Sequence, residues 1–151
     1  MAAASRSPAR LVLDTNVVVA GLLWSGPPRR LLQWAIDGRL VELFSSPALI
    51  DELAQTLKYP KFAARMQAHG AGAAQLVSQY SALVSIVTPA HVPRVVPDDA
   101  DDDHVIAAAV AARAALIVTG DRKHLLPVGR HEGIAIITAR EAIERLQGGP
   151  T

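Results

Sequence analysis

Four short apolar runs constrain this chain more than any other feature. They are Arg10-Leu-Val-Leu-Asp14, Leu40 to Phe44, Ala115-Leu-Ile-Val-Thr119 and Ile134 to Ile137. Each is too short for a helix and reads as a strand buried on both faces. Helical patterns lie between them. Val17 to Leu23 forms the first, ending near Gly26. Pro27 and Pro28 open the second, which carries Leu31, Leu32, Ala35 and Ile36 and stops at Gly38. Ser46 caps a third, with Pro47 in its first turn and Leu49, Ile50, Leu53 and Leu57 on one face. Two further helical stretches cover about Lys61 to His69 and Gly72 to Leu83, and a short strand lies around Val84 to Val87. Asp103 to Arg113 reads as a helix by periodicity and alanine content. Thr138-Ala-Arg-Glu141 is a capping box opening the last helix. Strands alternating with helices predict an α/β fold, with a parallel sheet and helices on both faces.

The chain has 151 residues, 50% of them hydrophobic. That fits one domain, read as residues 10–147, with flexible termini over 1–9 and 148–151. No apolar run approaches the ~18–20 residues of a membrane span. Asp14 and Asn16 interrupt the N-terminal apolar stretch, so it is read as mature protein and not as a signal peptide. With no cysteine there is no disulfide framework, thiolate zinc site or cysteine nucleophile. A cytoplasmic location is expected. The net charge is +1, but five of the 14 acids are Asp98, Asp99, Asp101, Asp102 and Asp103. Without them, 15 bases stand against 9 acids, a balance of +6. A concentrated negative spot on a basic remainder suits a metal site on a polyanion-binding body.

The carboxylates fall where such a fold places its ligands. Asp14 ends the first strand, and Asp121 lies two residues past the Ala115–Thr119 strand. Ligands of open parallel sheets bind outside the carboxyl ends of the strands. Asp103, Ile106 and Val110 share a helix face by spacing, so Asp103 is expected to turn toward the sheet end. Asp102 is its close competitor, and Asp98, Asp99 and Asp101 are read as loop residues. On the Ser46-capped helix, Glu52 lies about 115° and Asp51 about 145° from the centre of the apolar face, which favours Glu52. Crowded carboxylates raise one another's pKa unless a cation neutralises them. A hard oxygen set without Cys or a His pair indicates Mg²⁺ or Mn²⁺ and argues against zinc.

These residues resemble a known family. Leu13-Asp14-Thr15-Asn16-Val17, Glu52, Asp103-His-Val-Ile-Ala107 and Thr119-Gly-Asp121 are similar, in order and spacing, to the signature of PIN-domain ribonucleases. The likeness covers about Leu11 to Leu146. It is nearest to the bacterial, VapC-like subgroup assigned as toxins of type II toxin–antitoxin pairs. The resemblance implies a three-layer α/β/α fold around a parallel sheet of four to five strands. It implies that Asp14, Glu52, Asp103 and Asp121 hold Mg²⁺ or Mn²⁺, with Asp102 the alternative third ligand. It further implies that Asn16 and Thr119 orient the carboxylates by hydrogen bonds. Activity would be endoribonucleolytic, leaving 5′-phosphate and 3′-hydroxyl ends. Partners would be an RNA substrate, a small antitoxin and a second copy in a homodimer, with no membrane.

Arg122 and Lys123 are candidates for phosphate contacts, with Arg29, Arg30 and Arg39 behind them. No ladder of aromatics offers base stacking, so phosphate-led binding of structured or loop RNA is expected. Trp24 and Trp34 are read as core or interface residues. His104 and His124 flank acidic motifs, but a metal-activated water makes a histidine base unnecessary. Two other readings compete. A haloacid-dehalogenase-like phosphatase also begins with an Asp after its first strand, but needs a second acid where this chain has Asn16. A non-catalytic PIN-fold binding module would leave crowded carboxylates unused, at an energetic cost.

Overall fold

The computed structural model describes residues 7–92, 95 and 100–148. Residues 1–6 and 149–151 of the stretches read as flexible, and the loop acids Asp98 and Asp99, lie outside the described residues. Strand β1 (Ala9–Leu13) leads into α1 (Thr15–Leu23) and α2 (Pro27–Ile36). Strand β2 (Val41–Ser45) and α3 (Pro47–Thr56) follow, then a 3₁₀ turn over Pro60–Phe62, α4 (Ala63–His69) and α5 (Ala73–Leu83). The short β3 (Ser85–Ile86) precedes α6 (Ala100–Ala112) and β4 (Leu116–Val118). The chain ends with β5 (Arg130–His131), β6 (Ile134–Ile137) and α7 (Ala139–Gly148).

The strands form one sheet in the order β3-β2-β1-β4-β6-β5. Every pairing is parallel except β5 with β6. This is the mixed α/β, three-layer arrangement of a PIN-like fold, with one more strand than the upper expectation. The added strand is the antiparallel β5. It pairs through a two-residue turn whose residues, Glu132 and Gly133, both have positive φ (48° and 81°), as a tight hairpin requires. Arg130 and His131 carry no apolar signal, so the pattern of hydrophobic runs passes over them.

Side chains alternate across the sheet and feed two cores. Leu11, Leu13, Leu43, Leu116 and Val118 pack with helices α1, α2, α3, α5 and α7. Val12, Phe44, Ile117 and Ile136 pack on the other face, chiefly against α6. The capping box at α7 is made in both directions. The Thr138 amide donates to Glu141 Oε1 (3.1 Å) and the Glu141 amide to Thr138 Oγ1 (3.2 Å). Trp34 is buried, whereas Trp24 is 41% exposed. Its ring meets Phe62 edge-on, with the Arg65 guanidinium 5.3 Å from its centroid.

Helix α6 corrects two expectations. It starts at Ala100, three residues before the expected Asp103, so Asp101, Asp102 and Asp103 all lie in its first turn. Negative charge there is favoured by the helix dipole. Its buried residues are Asp102, Asp103, Val105, Ile106, Ala107, Ala108, Ala109 and Ala112, and Val110 is 38% exposed. Val110 therefore does not face the sheet, whereas Asp103 and Ile106, three residues apart, are both buried as their spacing predicts. Alanines on several sides of this helix blur the contrast between faces. Ile106 carries the packing of α6 on the sheet. Ile106→Ala is expected to cost about 2–5 kcal/mol, read as a lower urea midpoint at unchanged slope.

Candidate metal-binding site

The site forms where the strand order reverses. From β1 the chain goes outward to β2 and β3, then returns across the sheet to β4 on the other side of β1. The crevice beyond the carboxyl ends of β1 and β4 is a topological switch point. A cavity of about 410 Å³ opens there, lined by Asp14, Asn16, Glu52, Asp101, Asp102, Gly120, Asp121, Lys123 and His124.

Asp14 caps α1 and is buried. Its backbone amide donates to the Val118 carbonyl (2.9 Å) across the sheet. The Thr119 hydroxyl donates to Asp14 Oδ2 (2.8 Å) and accepts from the Asp121 amide (3.0 Å). Asp121 is held by a compact turn in which the Lys123 and His124 amides both donate to its Oδ1 at 3.0 Å. Glu52 arrives from α3, a helix started by Ser46, whose hydroxyl accepts from the Leu49 amide at 3.3 Å. Asp102 arrives from the first turn of α6.

Asp102, Asp121 and His124 each present one ligand atom, and all three atoms lie within 4.8 Å of one another. His124 Nδ1 is 3.7 Å from Asp121 Oδ2. Partial burial pushes the Asp121 carboxyl up. A hydrogen bond with the Asp102 side chain, the His124 and Lys123 amides and attraction to the His124 imidazole outweigh it, holding the group below its ordinary 3.8. Carboxylates held this close raise the cost of ionising one another, and a divalent cation between them would neutralise that charge. The donor set of carboxylates plus one imidazole thus fits Mn²⁺ readily and Mg²⁺ through its oxygens.

The structure therefore brings Asp14, Asn16, Glu52, Asp121 and Lys123 onto one cavity wall, with Thr119 behind them. It also puts Asp102, the alternative third ligand, on that wall. Asp103 is buried beside it and is not among the described lining residues; its Oδ1 accepts from the Val95 amide (2.8 Å). Asp101, read as a loop residue, stands on the wall from within the helix. His124, set aside because a histidine base was unnecessary, joins the cluster as a possible ligand. The signal was its i, i+3 spacing from Asp121. Arg122 is exposed and is not among the described residues lining the cavity. Arg29 donates to the Gly21 and Leu22 carbonyls, and Arg30 stacks on Trp34, so both serve the helical face.

A family model for the PIN domain matches residues 10–123. The chain belongs to the PIN-domain family. Members of that family are generally nucleases, hydrolases acting on nucleic acids. No curated protein matches the chain, and no solved structure does. In this PIN domain the matched span includes all the acids on the cavity wall. No helix among the described residues is long and apolar enough to cross a membrane.

The placement of the two neighbouring acids yields a direct test. Asp102→Asn should weaken Mn²⁺ binding, followed by calorimetry, at least ~10-fold, in the range of perturbed metal sites. Asp103→Asn should leave that affinity within about twofold. The reverse ranking would restore Asp103 as the ligand.

Proposed function

We propose that this PIN domain, spanning residues 10–147, is a divalent-metal-dependent endoribonuclease. Asp14, Glu52, Asp102 and Asp121 would hold Mg²⁺ or Mn²⁺, with His124 beside them. The observation that carries the reading is the convergence of carboxylates from four separate segments on one cavity at the switch point. When bound there, a divalent cation supplies an acidified water and neutralises charge in an in-line displacement at phosphorus.

The chain's own residues do the remaining work. Thr119 fixes the rotamer of Asp14 and the turn carrying Asp121, so both carboxylates are oriented before substrate arrives. Lys123 on the wall and the basic remainder of the surface attract the phosphate backbone. Asn16 stands exposed on the cavity wall, where a phosphatase of the haloacid-dehalogenase type would need an acid. The family resemblance supports a further assignment as the toxin of a type II toxin–antitoxin pair. It would act in the cytoplasm as a homodimer, restrained by a small antitoxin that blocks the acidic cavity.

Wild-type protein and Asp14→Asn incubated with an RNA panel, with and without Mg²⁺ or Mn²⁺, test the activity. Metal-dependent internal cleavage, leaving 5′-phosphate ends, should fall at least ~10²-fold in the variant. RNA binding should weaken steeply as salt rises. Binding with no cleavage in either metal would replace the nuclease with a non-catalytic module. A covalent phosphate on Asp14 would indicate the phosphatase. A short neighbouring reading frame with a DNA-binding N-terminus would support the toxin role.

A further inference from the structure

A second cavity, of about 330 Å³, adjoins the acidic one. Glu52 and Asp101 line both. The rest of its lining includes Asp51, Gln55, Thr56, Tyr59 and His104. Asp51 and Gln55 are spaced i, i+4 and share a face of α3. The chain turns as α3 ends, the Tyr59 amide donating to the Thr56 carbonyl (3.1 Å). Pro60 then begins the 3₁₀ turn. That geometry leaves the Tyr59 ring at the lip, 53% exposed.

The lining selects a type of ligand. Asp51, Glu52 and Asp101 carry negative charge, and no Lys or Arg is among the described lining residues. A phosphate would be repelled there. A nucleobase would not: it offers an aromatic face to Tyr59 and hydrogen-bond donors to the carboxylates. Guanine suits best, because its N1–H and N2–H₂ are adjacent donors that one carboxylate can accept together. Uracil presents two carbonyls around a single donor. The base must also be unpaired, since pairing would occupy the edge being read.

We propose that this cavity is a base subsite, in which Tyr59 stacks the nucleobase beside the scissile phosphodiester while Asp51 and Gln55 read its edge. The enzyme therefore prefers unpaired RNA with guanine at that position. The proposal rests on the nuclease reading and names the substrate of the same site.

The test uses unpaired oligoribonucleotides that differ at one base. Wild type should cut the guanine substrate roughly tenfold more efficiently than the uracil one, and annealing a complement should protect it. Tyr59→Ala should raise KM roughly tenfold, within the range expected for loss of one stacked base, with kcat little changed. Tyr59→Phe should keep the wild-type KM. Asp51→Asn should level guanine against uracil. Affinity for the same oligonucleotides, measured by fluorescence anisotropy on Asp14→Asn protein, gives a readout independent of cleavage. If no variant cleaves but Tyr59→Ala still lowers this affinity, the base subsite stands and the nuclease reading fails. If wild type cleaves, and neither Tyr59→Ala nor Asp51→Asn changes KM or base preference, the subsite is overturned and the nuclease stands. Circular dichroism checks folding. Should Tyr59→Ala unfold, the surface change Asp51→Asn decides by its effect on base preference.

Discussion

The Thr119 hydroxyl joins the two halves of the site. It donates to Asp14, 105 positions away in sequence, and accepts from the Asp121 amide. The bond to Asp121 is local, but the bond to Asp14 exists only because β1 and β4 lie side by side in parallel, with Leu13 opposite Val118. A slip of one residue in that register would turn alternate side chains to the opposite face. The apolar faces of Leu11, Val12, Leu13, Leu116, Ile117 and Val118 prevent the slip, since each belongs to a core on its own side. Core packing and the geometry of the carboxylates are thus one constraint.

That constraint sets an electrostatic problem. The sheet ends and the first turn of α6 bring acids together in a partly buried crevice, where each raises the cost of ionising the next. The helix dipole, the backbone amides of the Asp121 turn and the His124 imidazole relieve some of it. Asp102 and Asp121 still present ligand atoms within 4.8 Å of each other and of His124, a spacing that a bound cation would relieve. A cavity that favours an added positive charge, set in a chain with a basic remainder, is suited to a cation and a polyanion together. The neighbouring cavity lacks such basic lining among the described residues and suits the uncharged part of a nucleotide.

The readability of individual elements followed their physical contrast. Ser46-Pro47 and Thr138-Ala-Arg-Glu141 announce their helices because capping is local chemistry, and both caps are formed. The strands were legible because continuous apolar runs have few other fates in so short a length. The β5 hairpin was not, since its polar residues pair through backbone and a turn with positive φ. Helix α6 was readable as a helix but not in rotation. Alanine fits either a buried or an exposed face, so Val110 looked like core and the choice between Asp102 and Asp103 stayed open.

The sequence by itself determined the α/β class, the order of the elements and the chemical type of the site. Those follow from period, capping and the supply of carboxylates without cysteine, all of which are local or compositional. Only the tertiary structure decided how α6 is rotated, that Asp102 stands on the cavity wall while Asp103 holds the Val95 amide, and that His124 joins the cluster. It also decided that Tyr59, Gln55 and Asp51 surround a second cavity sharing a wall with the first. These outcomes depend on how separate segments meet across the sheet, and the spacing along any one segment does not contain that distance.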